Sequence, residues 1–431
     1  MPKKFEHYLS ICAIAKNEGF YLLEWIEYHL MAGVGHFYIY DNASSDHTRD
    51  ILRHYVDKGI VEYVFWPEHP GQLTAYSDCV AKHKNDSRWI GFIDLDEFII
   101  PLETATIPEF LKAYEGMNGL GINMIAYGTS GHDTRPEGLQ IEKYTYHSRE
   151  DFSSNLHIKT IADPRRIKVI HSMHSFLFED STSVRDENLE DIGVSPRTKR
   201  NSSNKIRINH YFTRSGEDIF AKLKRGRASL KARRCAKYFY DHDRNEIEDP
   251  VMEKHVPELK QRVARAEDRI MRSDPGVKFL SGRDTDLFSS NIWNFIKFVI
   301  EYISHLKAGS ILEVGKYKVF NESDFVSAEQ MASHGSSAFY KFDIKDVPWP
   351  IADKKYDLVV ALDVFESIRA KERGVLLEMG RISKMAMISF FKNTGISEGN
   401  IQEWTLGLNP FKKIDTANRV LYLFKFQESD A

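Results

Sequence analysis

At 431 residues and 42% hydrophobic, the chain is long enough for two ordinary domains with a buried core in each, which excludes a disordered or fibrous protein. The formal charge of −3 hides regional imbalance, because 199–244 carries fourteen Lys and Arg against four Asp and Glu, whereas 179–191 is acidic. Cys12, Cys79 and Cys235 are too few and too scattered for a disulfide framework or a zinc site. The N-terminal stretch lacks the apolar core of a signal peptide, and no run reaches the ~20 apolar residues of a membrane span. The expected setting is therefore the cytoplasm, with membrane contact limited to the periphery.

In chain order, an apolar run at 8–15 is followed by a helical pattern at 21–32, a strand at 37–40 and a Ser/Asp-rich turn. A helix at 48–58, a strand at 60–66, a helix at 73–84 and a strand at 89–93 complete the alternation. Short β-rich runs alternating with helices predict βαβ units on a largely parallel sheet. Beyond 101 the pattern loosens: strands are predicted at 121–126 and 205–212, with a loop between 178 and 204. A basic helix at 217–237, a turn at 241–250 and a charged helix at 256–272 follow. The segment 251–286 reads as a helical linker between a first domain, 1–250, and a second, 287–431.

Chemistry concentrates where the strand 89–93 runs into Asp94-Leu95-Asp96. In an extended backbone, residues two apart share a face, so Asp94 and Asp96 are expected to converge on one hard cation, Mn²⁺ or Mg²⁺. Such an ion offsets charge on a departing diphosphate. Ligands of open α/β sheets sit beyond the carboxyl ends of the strands, where Ala15, Asn17, Glu18, Asp41 and Ser44 also fall. The structural alternative is that Asp41 and Ser44 only cap the helix from Thr48, which Asp46 could do equally well.

Several ordered motifs accompany the acidic pair: Ile14-Ala15-Lys16-Asn17-Glu18, Glu24-Trp25-Ile26-Glu27-Tyr28-His29, Tyr40-Asp41-Asn42 with Ser44 and Asp46, Gly71-Gln72, and Trp89 to Phe98. Further on come Gly128-Thr129-Ser130-Gly131-His132, Pro136-Glu137-Gly138-Leu139, His157-Ile158-Lys159, His174 and Asn209-His210-Tyr211-Phe212. Over residues 8–250 the chain resembles glycosyltransferase family 92 and its GT-A relatives. The resemblance implies a GT-A fold, a nucleoside-diphosphate sugar donor held near Gln72 and Asp94, a divalent metal, and inversion at the anomeric carbon. It also implies a histidine in the metal shell with Asp94 and Asp96, for which His210 is the first choice and His174 the second. Inversion needs a base for the acceptor hydroxyl, and Glu137, Asp133 and His132 are the candidates. Lys159, Lys222 and Arg225 are the cations expected near the diphosphate.

From 287 a second αβ pattern begins, with a helix to 307 and strands at 310–314, 356–362, 385–390 and 420–426. Ser310 to Gly315, Asp343 to Pro350 and Lys355 to Glu366 resemble the class I methyltransferases, which implies Glu313, Gly315, Asp343 and Asp363 around S-adenosylmethionine. Lys316-Tyr317-Lys318 after Gly315, the lack of a clear second strand in 319–342 and Ser367 depart from that pattern, and favour a degenerate domain. The apolar helix 287–307 reads either as an interfacial membrane helix or as packing for the following sheet.

The expected protein is thus a two-domain α/β chain, a metal-dependent inverting glycosyltransferase followed by a methyltransferase-like domain. Its expected partners are the sugar nucleotide and a glycan or glycolipid acceptor, with no nucleic acid. The rival readings are a bifunctional glycosyltransferase and S-adenosylmethionine-dependent sugar O-methyltransferase, and a non-catalytic glycan-binding scaffold.

Overall fold

The structure is a computed structural model describing residues 5–228, 234–273, 292–315, 318–320, 323–327, 339–340, 343–365, 368, 371–392, 400–401, 404, 410, 412–416 and 418–426. The chain divides into two compact units. The described residues of the first are 5–218, 227–228 and 242–273, and those of the second are 219–226, 234–241 and those from 292 onward. Among the described residues no helix is long and apolar enough to cross a membrane.

The first unit opens with strand β1 (His7–Ala15), helix α1 (Gly19–Met31), β2 (His36–Asp41), α2 (Thr48–Val56), β3 (Val61–Phe65), α3 (Gln72–His83) and β4 (Ser87–Phe92). β1 is apolar at almost every position because both of its faces are covered. Leu9, Ile11 and Ala13 face α1 and α2, packing with Trp25, Ile26, Ile51 and Leu52. Cys12 and Ile14 face α3, packing with Ala75, Tyr76 and Cys79. The period-two alternation of a strand thus sorts one apolar run into two cores and makes a three-layer unit.

β3, β2, β1 and β4 lie side by side in parallel, with Ala15 opposite Asp41 and Asp41 opposite Phe65. Beyond β4 the sheet changes character. Strand Ile158–Ala162 runs antiparallel to both β4 and the strand Gly119–Ala126. Strand Ile206–His210 lies parallel to Gly119–Ala126 and antiparallel to Glu97–Pro101, setting His210 opposite Glu97 and beside Ala126. The largely parallel sheet expected from the βαβ pattern is therefore parallel only in its first half.

Four local expectations are corrected. Asp94 to Asp96 is not extended: the chain turns there, with the Glu97 N–H donating to the Asp94 carbonyl at 3.1 Å. The stretch 178–204 is not simply a loop, since Val184–Arg185 and Asp191–Gly193 widen the sheet at its Gly119–Ala126 side. Buried Glu187 explains this, because its carboxylate accepts the N–H groups of Asn204, Lys205 and Ile206 and ties the segment to the next strand. The basic helix 217–237 is two helices, Gly216–Arg225 and Ala236–His242, the first ending at Gly226 with φ +78°. Finally, Val256–Ser273 is not a linker, because Leu259, Ala266 and Ile270 belong to the first unit's main core.

The second unit is a seven-stranded sheet with Phe339–Tyr340, Asp324–Ser327, Ile311–Gly315, Tyr356–Leu362 and Ser383–Phe391 in parallel order. Arg419–Lys425 and Lys412–Asp415 add an antiparallel edge. A second strand thus exists where none was expected, at Asp324–Ser327. Trp293, Phe295, Ile296, Val299, Ile300 and Ile303 of helix Ile292–Leu306 are buried, which favours packing over an interfacial membrane helix. Residues 274–291, holding the rest of the expected linker and the start of that helix, lie outside the described residues, as do Lys316, Tyr317, Glu366 and Ser367.

Candidate functional site

The carboxyl ends of β1, β2, β4, Gly119–Ala126 and Ile206–His210 lie at one edge of the first unit's sheet. Four of the loops leaving that edge contain a non-glycine residue in the left-handed region: Asn17, Ala43, Ser130 and Arg214, with φ between 49° and 55°. Such a conformation costs about 1–2 kcal/mol per residue, and strain of this kind collects at ligand sites.

At the centre of the edge is the Asp94 to Glu97 turn. The Glu97 carboxylate closes it by accepting the Asp94 N–H at 2.8 Å. Asp94 accepts from Gln72 Nε2 at 2.6 Å and from Lys159 Nζ at 2.8 Å, so both of its oxygens are engaged. Lys159 is only 1% exposed and also faces Glu97 Oε2 at 3.5 Å. Burial alone would discharge this lysine, but the carboxylates of Asp94 and Glu97 outweigh it and raise its pKa. Burial likewise opposes the Asp94 carboxylate, and Lys159 reverses the sign, holding Asp94 below its ordinary value. Glu97 is lifted by burial to about 7 despite Lys159.

On the other side of the turn, His210 Nε2 faces Asp96 Oδ1 at 3.5 Å and Glu97 Oε1 at 3.9 Å. Glu97 Oε1 is buried and accepts no hydrogen bond. Among the described residues no three acidic, histidine or cysteine side chains are gathered closely enough to hold a metal ion. Asp96 and Glu97 nevertheless both face the His210 ring, and the Lys159 ammonium is shared by Asp94 and Glu97. His174 lies behind, its Nδ1 at 2.7 Å from the Ile158 carbonyl, and burial followed by Lys159 depresses its pKa to about 3, so the ring is neutral.

Arg214 ties the turn to the neighbouring loops. Its buried guanidinium donates to Glu18 Oε2 at 2.7 Å, Gln140 Oε1 at 3.1 Å and the Leu95 carbonyl at 3.0 Å, and it stacks on Tyr21 at 3.8 Å. Neither Glu97 nor Arg214 was singled out from the sequence. The available signals were the third carboxylate directly after Asp96 and an isolated cation four residues past His210.

The nucleoside-side candidates form a coupled pair of loops. Asn17 donates its N–H to Ser44 Oγ at 2.9 Å and accepts the Ser45 N–H at 2.7 Å. Asp41, 2% exposed, accepts from Ser44 N and Tyr63 Oη, so it shapes its loop, and the N–H of Thr48 goes to Asp46 instead. Ala15, the last residue of β1, accepts the Asn42 N–H at 2.7 Å.

The three base candidates lie on the loop between Gly119–Ala126 and the short helix Gln140–Lys143. His132 Nε2 lies 3.1 Å from the Lys143 carbonyl, and the Asp133 carbonyl accepts the Glu217 N–H. Glu137 is exposed and lines a cleft of about 590 Å³ between α1, α2 and Val256–Ser273. Lys222 and Arg225 fall among the residues that group with the second unit.

The family model of glycosyltransferase family 92 matches residues 7–228, the span that holds all of these groups. The chain belongs to glycosyltransferase family 92. A family 92 protein of Ricinus communis is 30% identical over 135 residues, covering 31% of this chain and 24% of that protein. The β-1,4-galactosyltransferase galt-1 of Caenorhabditis elegans is 26% identical over 117 residues, covering 23% of this chain and 27% of that enzyme. The chain therefore spans about a quarter of the length of these two relatives. A putative type 11 methyltransferase from Sulfolobus solfataricus is similar over 31% of this chain and 94% of its own, with 14% identity and a TM-score of 0.24.

In the second unit, Glu313 is buried with both oxygens taken by the turn that follows, accepting from Val319 N at 2.6 Å, Phe320 N at 2.8 Å and the Ser323 hydroxyl. Gly315 ends its strand opposite Ser327, and exposed Asp343 accepts the N–H of Lys345 in its own turn. Asp363, with φ +53°, pairs with buried Arg419 at 2.9 Å and with Ser389 at 2.8 Å. Glu313 and Asp363 are thus committed to internal partners.

Proposed function

We propose that the first unit is a GT-A type glycosyltransferase module that moves a sugar, with inversion, from a nucleoside-diphosphate donor to a hydroxyl of a glycan or glycolipid. The observation that carries this reading is the grouping of Asp96, Glu97 and His210 at one turn, with the His210 ring facing both carboxylates and the buried Glu97 Oε1 accepting no hydrogen bond. Two carboxylates and an imidazole at one turn are a donor set that suits a divalent cation. Asp96 and His210 would hold it, with Asp94 beside them anchored to Lys159 and Gln72. Bound there, Mn²⁺ or Mg²⁺ supplies Lewis acidity toward the leaving diphosphate.

The chain's own groups do the rest. Lys159 keeps Asp94 ionised, and Gln72 fixes the rotation of that carboxylate. Arg214 holds the backbone of the turn through the Leu95 carbonyl. Asn17, Ser44 and Ser45 present polar groups on a loop pair made rigid by its own hydrogen bonds, which suits a nucleoside. Glu137 is the base candidate whose side chain opens onto a cleft.

The test is a thermal-shift panel of uridine, guanosine and thymidine diphosphates with and without Mn²⁺, on the wild type, Asp96→Ala and His210→Ala. One nucleotide should stabilise the wild type only with metal, and both variants should lose that shift while keeping their own unfolding temperature. UDP-galactose is the first donor to try for hydrolysis, given the named activity of the nematode relative. No metal-dependent shift with any nucleotide overturns the donor site and promotes the scaffold reading. S-adenosylmethionine belongs in the same panel: with Glu313 and Asp363 committed internally, the second unit is proposed not to bind it, and a shift would restore the bifunctional reading.

A further inference from the structure

The cleft of about 590 Å³ in the first unit is large enough for a small-molecule ligand. Its floor is α1 and α2, one wall is Val256–Ser273, and the opposite wall is the loop 134–139. Apolar and carboxylate groups alternate around it. Phe20 is 37% exposed at the mouth, with the Arg135 guanidinium against its ring at 4.2 Å. Val263 and Ala264 form the apolar wall.

The charges are of two kinds. Arg135 is matched by Asp218 at 2.7 Å and Glu217 at 3.6 Å, and Lys260 by Glu142 at 2.8 Å, so the cations are already satisfied. Glu267 and Glu137 are not: among the described residues neither has a cation or a hydrogen-bond donor beside it, and burial alone raises the pKa of Glu267. The cleft therefore offers two acceptor-only carboxylates over an apolar floor, with no spare cation. A hydroxyl-rich neutral ligand with an apolar face meets both requirements, whereas an anionic ligand meets uncompensated negative charge.

We propose that this cleft binds neutral saccharide units, with hydroxyls donating to Glu267 and Glu137 and a pyranose face against Phe20. Read as the seat of the acceptor's sugars, it rests on the glycosyltransferase reading above. A contact path joins it to the acidic turn, because Tyr21 lines the cleft, carries Arg214 on its ring, and Arg214 donates to the Leu95 carbonyl.

The test uses the full chain on immobilised neutral cello-, malto- and galacto-oligosaccharides, with uronic-acid and sulfated oligosaccharides alongside. Ala264→Trp fills the cleft from an exposed helical position, and Glu267→Ala removes the half-buried acceptor without adding bulk. The wild type should retain at least one neutral series and neither anionic one. Both variants should weaken that retention about tenfold or more while folding normally. Retention of no neutral glycan, preference for the anionic ones, or undiminished binding by Ala264→Trp overturns the proposal. The Mn²⁺-dependent nucleotide shift is read in the same samples and separates the two claims: glycan retention without that shift upholds the cleft and removes the transferase reading, and the shift without retention does the reverse.

Discussion

Arg214 is the most informative single perturbation, because one buried guanidinium satisfies Glu18, Gln140 and the Leu95 carbonyl together. Arg214→Met keeps the length and apolar stem but takes the guanidinium away from the buried Glu18 carboxylate. Breaking a buried pair from one side costs about 3–5 kcal/mol, and the orphaned Leu95 carbonyl adds about 1 kcal/mol. Replacing Glu18 as well removes the uncompensated charge, so Glu18→Gln/Arg214→Met should be less destabilised than Arg214→Met alone, by about 1–3 kcal/mol. The assay is native-state hydrogen exchange of amides in β1 and α1, which reports the first unit separately from the second. The Mn²⁺-dependent nucleotide shift should also fall in Arg214→Met, since Leu95 sits between the two aspartates. A loss below about 1 kcal/mol, or no recovery in the double variant, would refute the reasoning that this ion pair is the brace of the turn.

Other expectations follow from single contacts. Burial lifts the Glu24 carboxyl to about 7 against the N–H groups of Gln140 and Ile141 that it accepts. Because the folded value is raised, its contribution to stability is present at low pH and is lost as pH rises through about 7. Glu24→Gln should therefore flatten the stability of the first unit between pH 5 and pH 8, and an unchanged profile would remove Glu24 as the cause. Lys159→Met should cost about 3–5 kcal/mol at pH 8 and abolish the nucleotide shift, because Asp94 loses its buried partner; an intact shift would show that the lysine does not organise the turn. Gly128→Ala places a Cβ 2.3 Å from the Arg244 carbonyl and Asn245 Oδ1, so it should lower stability by more than about 1 kcal/mol. Arg419→Met leaves Asp363 without the cation stacked on Phe391 at 4.0 Å, and should loosen exchange in strand Tyr356–Leu362 without touching the first unit.

The sequence by itself determined the elements whose pattern is local. The apolar run of β1, the helices behind it and the strand leading to Asp94 are set by hydrophobic period and by turn residues, and each lies within about four residues of where it is expected at either end. The ordered polar motifs also marked the right strand ends, and family 92 could be read from them. What the sequence did not contain was the set of partners each polar group meets. Asp94 and Asp96 stand either side of Leu95, yet the turn between them hands one to Lys159 and Gln72 and brings the other to His210. Glu97 and Arg214 looked like ordinary charges and are buried braces, and buried Glu187, in a stretch expected to be a loop, ties that stretch to the next strand. Glu313 and Asp363 resembled cofactor ligands and are committed to their own backbone turn and to Arg419. Local pattern follows from the spacing of apolar side chains along one segment. A carboxylate's role depends on which cation or N–H group the fold brings within about 3 Å of it, and those donors come from as near as the same turn, as for Glu97 and Glu313, to 196 residues away, as for Glu18.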